Sequence, residues 1–241
     1  MSSRSFRLVR AHASLLALLV LHLTLPPAAG AEPAGQAPAG ALAITPAQRA
    51  EVKQWYDTQQ SAIVPVDGGG ATVVIVKFND YQCPPCKQTW ADYAPILARF
   101  EKVRPGRVKL VTKDYPWDPA CNANVPQAGH PAACAAAAAM RMAREKGADK
   151  AAALEAWIYT NQASLTPASV RTAAREVGGI PDFDAKYASA VAGIKADAAL
   201  GALLQVKATP TFFFNGRRIQ GGVPPVYFEA LIEYALSVAG K

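Results

Sequence analysis

The chain has 241 residues, 51% of them hydrophobic, with 25 Lys and Arg against 18 Asp and Glu. That is enough apolar sequence for a sizeable core without disulfide scaffolding. The basic excess is spread thinly, and phosphate recognition needs a concentrated Lys/Arg footprint, so the composition gives no case for nucleic-acid binding.

The first segment reads as a unit of its own. Arg4, Arg7 and Arg10 precede an apolar stretch from Leu15 to Leu25, and Ala29-Gly30-Ala31 supplies small residues at a cleavage site. This is the pattern of a secretory signal over residues 1–31, cut after Ala31. The apolar run is short against the ~20 residues of a bilayer span, which favours cleavage over a retained anchor. An uncleaved signal would leave the protein tethered to the membrane. No cysteine sits near the cut to carry a lipid. Removal of the segment takes away three basic residues and no acid, leaving 22 against 18. The expected location is exported and periplasmic, where four cysteines are oxidised or catalytic.

Residues 32–45, rich in Ala, Pro and Gly, read as a flexible linker. The remaining residues, 46–241, read as one domain. Thr45-Pro46 has the form of an N-cap and first-turn proline opening a helix to about Gln60. A short strand is predicted over Ile63 to Val66, and Asp67-Gly68-Gly69-Gly70 forms a turn. Residues 72–78 are continuously apolar apart from Lys77, as in a central strand covered on both faces. At its end stands Cys83-Pro84-Pro85-Cys86, two cysteines three apart opening a helical pattern, which marks a thioredoxin-like redox motif. A cysteine at a helix N-terminus faces unpaired N–H groups and the positive end of the dipole, so its thiolate is stabilised. The second, one turn on, resolves the mixed disulfide. Trp90, Tyr93, Leu97 and Phe100 follow at helical spacing, with Pro95 expected to kink or split the helix.

A second strand is predicted over Arg107 to Thr112. Cys121 and Cys134 then flank a loop that also holds His130, the one histidine beyond the signal. The spacing suits a structural disulfide, worth about 3 kcal/mol for a loop of this length, with a second redox relay as the alternative. Residues 131–204 form an Ala-rich helical block of four or five helices, with breaks expected near Gly147, Thr166-Pro167, Gly178-Gly179 and Gly193. Thr211 to Phe214 reads as a buried strand, Asn215-Gly216 as a hairpin turn and Arg217 to Gln220 as its partner, before a helix from about Pro225 to Ala239. The fold class is α/β, a small sheet with a large all-helical insertion.

Two of these segments carry a family resemblance. Phe78-Asn79-Asp80-Tyr81-Gln82-Cys83-Pro84-Pro85-Cys86-Lys87 resembles the active-site segment of DsbA-like thioredoxin-fold thiol–disulfide oxidoreductases. Ala208-Thr209-Pro210-Thr211-Phe212-Phe213-Phe214-Asn215-Gly216 is similar to the cis-proline strand and hairpin of that superfamily. They occur in the right order around a helical block of the right size, and the finer likeness is to exported domains associated with vitamin K epoxide reductase homologues. The resemblance implies that Cys83 is the nucleophile and Cys86 the buried resolving thiol. It also implies that Pro210 is cis and sets Thr209 against the disulfide, so that the Thr209 backbone pairs with an extended substrate. Implied partners are reduced or unfolded exported proteins and a membrane quinone-linked redox partner, DsbB-like or vitamin K epoxide reductase-like; no cofactor is implied.

Two departures bear on redox tuning. Lys77 stands where relatives carry a buried acid; it either points under the active site or sends its head to water. Pro84 and Pro85 fill both central positions, and Pro85 has no N–H to offer the Cys83 sulfur. The reading is an exported oxidase of folding proteins, with a reductase or isomerase as the alternative in the same chemistry. In other classes stand a zinc protein, a cysteine hydrolase with His130 as base, and a non-catalytic binding module using Tyr81, Trp90 and Phe212. Zinc sites pair one close cysteine motif with another or with spaced histidines, whereas here the Cys121–Cys134 spacing is wide and His130 stands alone; His130 suits a solvated loop, and the three aromatics sit at core spacings.

Overall fold

A computed structural model describes residues 44–239. The expected signal segment and nearly all of the linker lie outside the described residues. Helix α1 (Pro46–Thr58) starts on a capping box, in which Gln48 N–H donates to Thr45 Oγ1 and Thr45 N–H to Gln48 Oε1. The next segment forms no strand, contrary to expectation over Ile63 to Val66. Among the described residues its one ladder bridge joins Ser61 to Arg217, while Ala62, Val64 and Val66 pack their side chains against the sheet. Pro65 has no N–H to extend a ladder, and Ile63 is 93% exposed.

Strands β1 (Val73–Asn79) and β2 (Val108–Asp114) pair in parallel, and β3 (Thr211–Phe214) and β4 (Arg217–Gln220) complete a sheet in the order β2-β1-β3-β4. β1 is central, which is why its apolar run is nearly continuous. Antiparallel pairing with β3 sets Lys77 opposite Phe212 and Phe78 opposite Thr211. The β3–β4 turn has positive φ at Asn215 and Gly216, as a two-residue hairpin requires. The Asn215 side chain carries the ladder one step further, accepting from Val74 N–H at 2.8 Å and donating to Thr72 C=O.

The period-two alternation of the strands divides the core. Val73, Ile75, Phe212 and Phe214 face α1, α2 (Pro84–Val103) and α7 (Pro225–Val238), meeting Tyr56, Tyr93, Ile96, Phe100, Phe228 and Leu231. Val76, Phe78 and Phe213 face the other way, onto Tyr115, Ala198 and Val206. α2 runs unbroken through Pro95. That residue lies on the exposed side of the helix, where water can take up the carbonyl the proline leaves without a donor.

The insertion consists of α3 (Ala133–Lys146), α4 (Ala148–Thr160), a 3-10 turn (Gln162–Ser164), α5 (Pro167–Glu176) and α6 (Phe183–Leu203). The buried alanines 135–139 of α3 let neighbouring helices close around it, and Leu154, Ile158, Tyr159, Val170, Phe183 and Ile194 fill the space. The predicted break at Gly193 is absent, and α6 passes straight through it. A Cβ there would stand 2.4 Å from the Arg141 guanidinium, so any larger residue would push that side chain from its place. Arg141 in turn joins Asp114 of β2 at 2.9 Å to Asp197 of α6 at 2.7 Å, and Lys113 meets Asp197 at 2.8 Å. These ion pairs fasten the insertion to the sheet. Arg141→Ala would take from the buried Asp114 its hydrogen-bonded cation and leave it only the field of Arg144, and an expected loss of about 3 kcal/mol should appear as a lower denaturant midpoint in equilibrium unfolding. Among the described residues, no helix is long and apolar enough to cross a membrane.

Candidate active site

The chain leaves β1 through a tight turn. Asp80 is buried and its Oδ1 accepts from Gln82 N–H at 2.7 Å, while Asp80 C=O accepts from Cys83 N–H at 3.2 Å. The turn delivers Cys83 to the N-cap of α2 in an extended conformation. Pro84 and Pro85 occupy the first helical positions, both exposed, where their fixed φ suits the helix and their missing N–H groups would have had no intrahelical partner. Cys83 is 6% exposed and Cys86 fully buried, and neither is in a disulfide.

The two sulfurs sit in different fields. Cys83 is lowered from 9.0 to about 6, chiefly because the Cys86 thiol hydrogen-bonds to its thiolate; burial opposes this, while the Thr209 hydroxyl and the Cys86 backbone N–H add donors. With Pro85 lacking an N–H, Cys86 is the first residue of the helix after Cys83 that can supply a backbone donor. In its protonated form Cys83 donates to Thr209 C=O at 3.2 Å. The Thr209–Pro210 peptide is cis. Cys86 is shifted the other way, raised well above the ordinary thiol value by burial and by its bond to Cys83. A stabilised thiolate at the helix N-terminus beside a fully buried, protonated thiol is an asymmetric pair suited to sequential thiol–disulfide exchange.

Lys77 points under this pair rather than to solvent. Its Nζ donates to Cys86 C=O at 3.2 Å and stands 5.9 Å from the centre of the Phe212 ring. Burial lowers its pKa, and its charge bears first on Cys86, then on Glu155 and Cys83. Glu155, from α4, is raised by burial and partly compensated by Lys77. Both residues line a cavity of about 290 Å³ behind α2, together with Trp90 and Phe212. Two titratable side chains, Lys77 and Glu155, thus lie behind the buried Cys86.

The decisive comparison concerns the whole domain. The family profile described as Thioredoxin matches residues 69–234, from the turn before β1 into α7. The chain belongs to the thioredoxin family. Solved structures share the fold of this thioredoxin-family protein at low identity. A catalytic domain of Proteus mirabilis ScsC matches at 18% identity over 79% of this chain and 98% of its own, with a TM-score of 0.55. A thioredoxin-like oxidoreductase from Silicibacter pomeroyi matches at 22% over 72% and 91%, with 0.54. A periplasmic thioredoxin-like protein from Salmonella enterica serovar Typhimurium matches at 20% over 71% and 88%, with 0.52. No curated protein sequence matches the chain. The fold is the thioredoxin fold with a helical insertion, as the sequence resemblance implied.

Placement of the remaining candidates in this thioredoxin-family site is plain. Cys121 and Cys134 form a disulfide with Cα atoms 5.9 Å apart, closing the loop before α3. Tyr81 and Phe212 are buried and Trp90 is partly buried against Tyr159, so these aromatics are core. His130 is not merely solvated. Its Nδ1 lies 2.6 Å from Asp80 Oδ2, with the side chain 25% exposed. Four participants escaped sequence reasoning. Asp80 and Gln82 organise the turn, and Gln162 of the 3-10 turn donates to both Tyr81 C=O and Cys83 C=O. Glu155 faces Lys77 from α4. Asp80 and Gln82 stood inside the quoted motif, but nothing in the pattern of the helical block singles out Glu155 or Gln162.

Proposed function

We propose that the protein is an exported thiol–disulfide oxidoreductase that oxidises cysteines of folding proteins through a Cys83–Cys86 disulfide. The observation that carries this reading is the asymmetry of the two thiols. Stabilising the Cys83 thiolate stabilises the reduced pair, and a stabilised reduced form is what makes a disulfide oxidising. A substrate thiolate attacks Cys83 sulfur, and Cys86 departs and takes up a proton. A second substrate thiolate then attacks the substrate sulfur of the mixed disulfide and expels Cys83 as its thiolate.

Thr209 is the substrate shelf in this reading. Its carbonyl lies at the Cys83 sulfur, and among the described residues its N–H has no backbone acceptor, so an extended substrate can pair there. Cys121–Cys134 is the structural staple. Pro84, Pro85 and Lys77 tune the pair. The periplasmic location of the Salmonella neighbour and the signal pattern of residues 1–31 support an exported site of action. Re-oxidation then falls to a membrane quinone-linked partner, DsbB-like or vitamin K epoxide reductase-like.

The test is the equilibrium of Cys83–Cys86 with a glutathione buffer, read by thiol trapping. The expected potential lies on the oxidising side of thioredoxin's, about −270 mV. A value at or below that of thioredoxin would reverse the direction to reduction, since about 30 mV is a tenfold change in equilibrium for a two-electron couple.

A further inference from the structure

The loop closed by Cys121–Cys134 lies against the redox turn and is latched to it twice. His130 Nδ1 meets Asp80 Oδ2 at 2.6 Å, and Ala132 N–H donates to Gln82 Oε1 at 2.8 Å. Trp117 completes the latch, its N–H donating to the same Asp80 Oδ2 at 2.7 Å while its C=O accepts from Gly129 and His130. A Cβ on Gly129 would come 2.7 Å from the Trp117 ring, so the approach is tight. His130 also lines a cavity of about 610 Å³ with Gln82, Pro84, Lys87 and Gln162, the residues that surround the exposed end of the motif.

Asp80 is a liability for the nucleophile. Its carboxylate is buried beside the motif, and a negative charge there disfavours a second one on Cys83. A cation bonded to Asp80 removes that penalty. The groups facing His130 are Asp80 and Cys83 from the turn and Lys87 from α2; its own loop, residues 122–133, holds no other titratable side chain, and the facing residues of the 3-10 turn are the neutral Gln162 and Ala163.

We propose that His130 is a positioning residue for Cys83: bonded to Asp80, it cancels the carboxylate's charge at the nucleophile, and the Cys121–Cys134 disulfide holds it there, so that the second disulfide sets the reactivity of the first. The inference rests on the oxidoreductase reading. In the reaction it modulates, the Cys83–Cys86 disulfide and a substrate dithiol yield the substrate disulfide, the Cys83 thiolate, the Cys86 thiol and one released proton. Two electrons pass to the protein. The imidazolium favours this outcome by stabilising the thiolate product. It supplies from another part of the chain what a histidine inside the motif would offer and Pro85 does not.

The experiment compares the full chain with His130→Ala, Asp80→Asn/His130→Ala and Cys121→Ala/Cys134→Ala, following the ultraviolet absorbance of the Cys83 thiolate against pH in the reduced proteins. His130→Ala should raise the titration midpoint enough to cut the thiolate population about tenfold at a pH below both midpoints, one unit of pKa. The equilibrium constant for oxidising a dithiol should fall in step. Removing the carboxylate as well should restore the wild-type midpoint, which a purely structural role for His130 would not do. Cys121→Ala/Cys134→Ala should shift the midpoint in the same direction as His130→Ala. An unchanged midpoint in His130→Ala overturns the proposal. A shifted midpoint there with none in the disulfide variant overturns the role given to the second disulfide. Failure of the wild type to exchange disulfides with a reduced protein would instead overturn the oxidoreductase reading, whatever the titrations show.

Discussion

Cys83→Ser should reduce oxidation of an unfolded dithiol substrate to the uncatalysed rate, and Cys86→Ser, which likewise has no disulfide to transfer, should instead trap a disulfide substrate as a stable mixed disulfide on Cys83. The two outcomes follow from the different surroundings of the sulfurs. Cys83, at the helix N-terminus beside Thr209, keeps a small exposed surface and is the proposed point of attack, whereas Cys86 is fully buried behind it. Without Cys83 there is neither target nor leaving group. Without Cys86 thiol chemistry, Cys83 still attacks a disulfide, but no internal thiol resolves the product, and a mixed disulfide should appear on a non-reducing gel. For the wild type acting on a disulfide substrate, the rate should fall as pH drops through about 6, because the thiolate is the attacking species. Equal rates for Cys83→Ser and wild type would remove the assignment, and a mixed disulfide formed through Cys86 would invert it.

Lys77→Met should slow exchange by about a hundredfold, the lower end of what a positioned proton-transfer group contributes. When a substrate thiolate takes Cys83, Cys86 departs into a buried site that disfavours charge. Lys77, bonded to the Cys86 carbonyl and itself held below its usual pKa by burial, is placed to offset that charge and exchange the proton, with Glu155 next along the cavity. Methionine keeps the length and packing against Phe212 and removes only the amine. The loss should be largest in the step that expels Cys86, so rapid mixing should show slower formation of the mixed disulfide rather than weaker substrate binding. Stability should change little, since Lys77 is itself buried at a desolvation cost and Glu155 keeps the field of Arg144. A rate equal to wild type would leave Lys77 a structural lysine.

Much of the fold was legible because it depends on local pattern. The unbroken apolar run of β1, the Thr45 and Thr166 caps followed by prolines, and the Asn215-Gly216 turn each specify their own conformation. The errors share one cause. Residues 63–66 have a strand's composition, yet the chain meets the β4 edge through the Ser61–Arg217 bridge alone and then packs side chains on the sheet instead, and Gly193 looked like a breaker when its role was to make room for Arg141. In both places a long-range neighbour overrode the local signal.

The same division runs through the site. The sequence by itself pointed to the chemistry: two cysteines one helical turn apart at a strand end are a local pattern that reads as a redox pair, and the family resemblance implied the part given to Thr209-Pro210. Only the tertiary structure decided the electrostatics around them. Lys77 could have faced water or the thiols until α2 and α4 closed over it, and Glu155 had no partner until the insertion packed back on the sheet. His130 met Asp80 only because the Cys121–Cys134 loop folds against the turn, 50 residues away in sequence. Charge acts through space and through the dielectric that burial creates, and neither can be read from the order of residues along the chain.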